Sequence, residues 1–215
     1  MTAMLEAPAL MPYPAPAAPP PSKVGFAPRP FRWTLVNFRR LGETGIFNDR
    51  KVILIDGEIL EVPVDNPPHA TGISLAVERI QQAFGSRFYV RNQAGLPLQL
   101  ETDPVPDVAV VPGSIRDYAV AHPTPHQIQL IVEVSDSTLA FDLRVKSHLY
   151  ATAGIPDYWV VDVNALQLHV HREPVADETA PRGFRYASVR VLASADRIAP
   201  LAAPDSPIAV ADLLP

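Results

Sequence analysis

The stretch "IQLIVEVSDSTLAFDLRVKSHLYATAGIPDYWVVD", residues 128–162, decides the fold. Its first seven residues are almost continuously apolar. Such a strand belongs in the middle of a sheet, covered on both faces. Alternation puts Gln129, Ile131 and Glu133 on one face and Leu130, Val132 and Val134 on the other. A helix is expected from about Leu139 to Ala153, then a second apolar strand, "DYWVVDV". Strand, helix and strand over 128–163 give enough chain for a right-handed crossover between parallel strands.

Two charges interrupt this unit. An ionised Glu133 inside a covered strand is costly unless it is paired or bound to metal; at the strand's end it would simply be solvated. Both readings stand on the residues alone. Leu139, Leu143, Lys146, Tyr150 and Ala153 fall on one helical face, so Lys146 breaks an apolar stripe. Asp142, four residues earlier, offers it an ordinary surface ion pair of roughly 0.3–0.5 kcal/mol. The alternative is that Lys146 meets Glu133 across the helix–sheet gap. A third charge, Asp107, opens the strand of "PVPDVAVV" (104–111). It reads either as a turn aspartate or as a second carboxylate that strand pairing brings beside Glu133. Two hard carboxylates with open coordination suit Mg²⁺ or Mn²⁺. A lysine beside them can stabilise developing phosphate charge.

Working outward, "RWTLVNFRRLGETG" gives a helix capped by Thr34 and stopped at Gly42. "KVILIDGEILEVPV" is a hairpin about Asp56-Gly57. "HATGISLAVERIQQAF" is an amphipathic helix. "RFYVRN", "LPLQLE" and "PDVAVV" are strand candidates, 113–127 a loop with a short helix, and "LQLHVHRE" with "FRYASVRVL" a hairpin. "SPIAVADLLP" suggests a short final helix. Residues 1–30 hold nine of the 25 prolines and read as a disordered Ala/Pro-rich tail. The remainder, 31–215, is expected to be one α/β (α+β) domain with a central mixed β-sheet flanked by helices.

The chain has 215 residues, no cysteine and a formal net charge of -5. Thiolate metal sites and cysteine nucleophiles are excluded. No apolar run is long enough for a membrane span, and prolines break any secretory leader; the expected location is cytoplasmic. The acidic balance does not announce a nucleic-acid binder, so such a role needs a local basic patch. Arg39, Arg40, Arg50 and Lys51 form one candidate. His169 and His171 share a strand face without an evident third ligand. Tyr158 and Trp159 read as core.

"PDVAVV", followed by "LIVEVSDSTLAFDLRVKSHLYATAGIPDYWVVD" and preceded by "LIDGEILEVPVDNPPHATGISLAVERI", resembles the Uma-type putative restriction endonucleases, a branch of the PD-(D/E)XK nuclease superfamily. The resemblance spans about residues 31–212. It implies a restriction-endonuclease-like core and Mg²⁺-dependent hydrolysis of DNA phosphodiester bonds by a homodimer. It assigns Asp107 to the "PD" aspartate and Glu133 to the acidic member of (D/E)-x-K, with the Val134 carbonyl as a further metal ligand. The standard lysine position is Ser135 here, and Lys146 on the following helix takes its place. Glu58, Asp142 and His69 match supporting positions. Specificity is then expected from loops such as 113–127 and 172–184. The rival expectation is a nuclease-fold protein that no longer cuts and acts as a binding or regulatory module.

Overall fold

The computed structural model describes residues 28–64 and 66–215. Nearly all of the proline-rich segment lies outside the described residues.

Six strands form the central sheet in the order β3-β4-β5-β6-β7-β8. They are β3 (Phe88–Asn92), β4 (Val108–Pro112), β5 (Leu130–Ser135), β6 (Asp157–Asp162), β7 (Gln167–Ala176) and β8 (Phe184–Ala193). β5 and β6 are parallel, as their helical connection requires. Every other neighbouring pair is antiparallel. The sheet is therefore mixed, as expected.

β5 is buried along its whole length. Leu130, Val132 and Val134 pack with Ile73, Ala76, Ile80 and Phe84 of α2 (Pro67–Phe84). Ile131, on the opposite face, packs with Leu149, Tyr150 and Ile155 of the crossover connection. Two apolar layers thus enclose the strand, which is what its unbroken apolar run demands.

Asn66 caps α2, its side chain accepting from the His69 amide at 3.1 Å. Prolines occupy the first helical turn, where a missing N–H costs nothing. The hairpin forms as β1 (Val52–Ile55) and β2 (Glu58–Glu61). Asp56 and Gly57 both have positive φ at its turn, the conformation that Asp-Gly favours.

Two expectations are corrected. Helix α1 (Leu35–Glu43), capped by Thr34 as expected, runs through Gly42; the break comes at Gly45, whose φ is +81°. "LPLQLE" makes only an isolated bridge, Gln99 to Thr102, in a tight turn. Its Leu96 is fully buried from a loop while Leu100 is exposed, so the alternation marks no ladder. The C-terminal segment ends, as expected, in a short helix, the 3₁₀ helix Val210–Leu213.

Candidate active site

The connection from β5 to β6 is helical but not uniformly so. Helix α3 (Leu139–Phe141) passes into a π-helical turn, Asp142–Lys146, and then into α4 (Ser147–Thr152). Such widened turns insert one residue into the helical ladder and occur often at functional sites. Here the turn begins and ends on charged residues, Asp142 and Lys146, and both are buried.

The Lys146 ammonium lies 2.9 Å from Glu133 Oε2 and 2.9 Å from Asp142 Oδ1. Glu133 is 1% exposed and Asp142 is 1% exposed. Neither bland reading holds: Glu133 is not at a solvated strand end, and the Asp142–Lys146 pair is not on the surface. Ser135 and Thr138 each donate a hydroxyl to Asp142 Oδ2 at 2.6 Å. Ser135, standing where the usual lysine would be, thus anchors the aspartate that holds Lys146.

Asp107 arrives by strand pairing. Val108 stands opposite Val132 in the β4–β5 register, which carries Asp107 to the level of Glu133. The Val134 amide donates to Asp107 Oδ2 at 2.8 Å, and the Asp107 amide approaches Glu133 Oε2 at 3.4 Å. His69, from the first turn of α2, places Nε2 3.5 Å from Asp107 Oδ1. Asp107, Glu133, Asp142, Lys146 and His69 therefore line a single cleft together with Val134 and Lys51.

Glu58 is not brought there. It sits beside the hairpin turn, largely exposed, and pairs with Arg32 at 2.8 Å. Of the expected basic group, Arg39 pairs with Asp103 and Arg50 with Glu61, and only Lys51 lines the cleft. His169 and His171 do share a face of β7, but His171 is packed between Tyr158 and Tyr186. Tyr158 and Trp159 are fully buried core residues. One participant went unread as polar: Tyr150, placed in the apolar stripe, donates its hydroxyl to Glu133 Oε1 at 2.7 Å. Its position four residues beyond Lys146, on the same face, was the available signal.

Three carboxyl groups face one ammonium in this cleft. Burial is the main influence on Glu133 and pushes its carboxyl up; Lys146 opposes this, while Asp107 and Asp142 add to it, and the result is about 7. Burial alone would lower Lys146, but Glu133 and Asp142 outweigh it and hold the ammonium above its ordinary value. The metal-free cluster thus keeps its lysine charged and retains a proton on a carboxyl near neutrality.

Among the described residues no group of three or more His, Cys, Asp or Glu side chains is spaced to hold a metal ion. Two carboxylates do converge, and Mg²⁺ ordinarily takes only one or two while keeping several waters. The cleft gives water centres about 70 Å³, against the roughly 10–15 Å³ that one water needs by that measure. The donor set and the space therefore fit a partly hydrated Mg²⁺ or Mn²⁺. Among the described residues no helix is long and apolar enough to cross a membrane.

Comparison with known proteins bears on this cleft. Residues 37–210 match the model of the Uma2 family, described as putative restriction endonucleases. The crystal structure of a putative nuclease belonging to DUF820 from Anabaena variabilis superposes with a TM-score of 0.62 at 16% sequence identity, covering 84% of this chain and 96% of that one. At that identity the likeness speaks for the fold. No curated protein matches the chain. The family match covers the hairpin, both helical layers and every residue of the cleft, and the chain belongs to the Uma2 family of putative restriction endonucleases.

Proposed function

We propose that this protein is a Mg²⁺- or Mn²⁺-dependent endonuclease that hydrolyses DNA phosphodiester bonds. The single observation that carries the proposal is the buried convergence of Asp107, Glu133 and Lys146 in one water-accessible cleft. Family membership supports the reaction class.

Asp107 and Glu133 would hold the cation, with the Val134 carbonyl as a third protein ligand. When bound, the cation supplies Lewis-acid polarisation of the phosphate and a lower pKa for the attacking water. Lys146 places a fixed positive charge where negative charge accumulates on the phosphoryl oxygens, in a site where little water screens it. Asp142 positions that ammonium and is itself fixed by Ser135 and Thr138. Tyr150 fixes Oε1 of Glu133 from the buried side. His69, with Nε2 beside Asp107 Oδ1, would help orient that carboxylate. A homodimer would present two such clefts to a duplex, and a cytoplasmic location fits the absence of cysteine.

A second reading has its own support. Lys146 is already engaged by two carboxylates, and Ser135 replaces the standard lysine. A retired nuclease serving as a binding module would tolerate both. Supercoiled plasmid incubated with Mg²⁺ or Mn²⁺ separates the readings. Wild type is expected to nick it, and Lys146→Ala and Glu133→Ala to lose that activity. No nicking, together with Mn²⁺ calorimetry indistinguishable between wild type and Glu133→Ala, favours the binding module.

A further inference from the structure

A second cavity, sharing no lining residue with the cleft, lies on the same face of the sheet. Tyr89, Arg91, Arg116 and Tyr118 line it, with Ile115 and two alanines. Its volume of about 320 Å³ lies within the roughly 300–1,000 Å³ of small-ligand pockets. Arg91 pairs with Ala109 in the β3–β4 register and Tyr89 with Val111. Asp107 is two residues from Ala109 and so shares their face. By strand geometry the Arg91 and Asp107 backbones are roughly 8 Å apart.

Arg91 is the unusual residue. It is only 6% exposed, yet among the described residues no carboxylate forms an ion pair with it; its neighbour Asp103 is engaged by Arg39 instead. One terminal nitrogen makes weak contacts, 3.3 Å to the Gly95 carbonyl and 3.4 Å to His122 Nδ1. The other, Nη1, is buried with no hydrogen-bond partner. A guanidinium does not shed its proton, and a buried charge without a counter-ion is costly. Asp103 attracts the guanidinium through space, but Nη1 itself keeps a free donor that an anionic acceptor would satisfy. Arg116 supplies a second guanidinium at its exposed rim. Tyr89 and Tyr118 stack at 6.2 Å between ring centroids and 29° between planes, giving the pocket an aromatic wall. A phosphate for the arginines and a flat ring for the tyrosines are the two halves of a nucleotide.

We infer that this cavity is a nucleotide-binding subsite, in which Arg91 and Arg116 take a phosphate and Tyr89 and Tyr118 stack an unpaired base of the strand that runs to the Asp107–Glu133 cleft. The inference rests on the nuclease reading and adds a substrate class, strands with an unpaired nucleotide near the cut. It also gives an acidic protein a local cationic grip on the backbone.

The test uses the full chain without metal and a fluorescein-labelled twelve-nucleotide oligothymidine, followed by anisotropy across a salt series. Because Arg91 is buried, the variants are at the rim. Tyr118→Ala is expected to weaken binding on the order of tenfold, and Tyr118→Phe, which keeps the ring, to restore it. Arg116→Ala should flatten the dependence of log affinity on log salt by roughly 0.7, one single-strand phosphate. Thermal melts confirm that the variants are folded. If wild type nicks plasmid but both alanine variants bind the oligonucleotide as wild type does, the subsite is refuted and the nuclease reading stands. Equal losses on a blunt duplex of the same length would also refute it, since no base is unpaired there. If wild type neither binds nor nicks, both readings fall together.

Discussion

Replacing Lys146 by methionine tests the electrostatic account of the cleft most directly. The unbranched side chain is kept one atom short and loses its charge, leaving Glu133 and Asp142 buried without the ammonium between them. Each contact is 2.9 Å long. At an effective dielectric near 20 that separation corresponds to about 6 kcal/mol of attraction per pair before desolvation. Desolvating the ammonium offsets several kcal/mol of this. Removing one partner of a buried pair costs about 3–5 kcal/mol on balance, and the expected loss at pH 8 lies in that range. It should shrink on acidification. Glu133 in the wild type already binds a proton up to about pH 7, so at pH 5.5 its carboxyl is neutral in both proteins and only the Asp142 contact remains lost. The loss is then roughly half as large. The wild type carries its own pH dependence. Because burial raises Glu133 from 4.5 to about 7, the unfolded chain gives up its proton first as pH rises. Metal-free stability from this group is full below about pH 4.5 and falls by about 3 kcal/mol through pH 7. Urea unfolding followed by circular dichroism at the two pH values measures both effects. A Lys146→Met loss below about 1 kcal/mol, unchanged between pH 8 and 5.5, would refute the buried three-carboxyl cluster.

Two further substitutions probe its surroundings. Tyr150→Phe removes the only hydroxyl on Glu133 Oε1 among the described contacts; the expected cost at pH 8 is about 1.5–3 kcal/mol, and unchanged urea midpoints would deny that hydrogen bond. Gly72→Ala should destabilise although alanine is the better helix former, because its Cβ would meet Val134 Cγ1 at 2.8 Å on the strand that carries Glu133. The overpacking cost of about 1–3 kcal/mol then exceeds the propensity gain of about 0.8–1 kcal/mol, and a raised melting temperature would contradict the close packing of α2 on β5.

Much of this architecture was legible because local pattern and tertiary environment agreed. The apolar run of β5 required a central strand, and the structure buries it on both faces. The Asp56-Gly57 turn, the Thr34 cap and the amphipathic α2 obey rules that act over a few residues, and each formed where expected. "LPLQLE" misled because its alternation reflects neither a shared buried face, since Leu96 is buried and Leu100 exposed, nor a neighbouring strand to pair with. Gly42 misled because a glycine stops a helix only where the backbone turns left-handed, and that happened at Gly45.

The sequence by itself determined which residue types could do chemistry: two carboxylates and a lysine set in apolar contexts, no thiol, and a strand–helix–strand unit to carry them. Where those charges meet was decided by tertiary structure. Asp107 and Glu133 are 26 residues apart in sequence and become neighbours only through the β4–β5 register. Lys146 reaches Glu133 because the crossover packs the helix face that carries Asp142 and Lys146 against β5, where both are buried. Glu58 went the other way, held beside its hairpin turn by Arg32. Burial then made the charges consequential. The same three side chains on a surface would titrate ordinarily, whereas beneath two covering layers each must find its counter-charge in another, and that mutual dependence is a property of the fold.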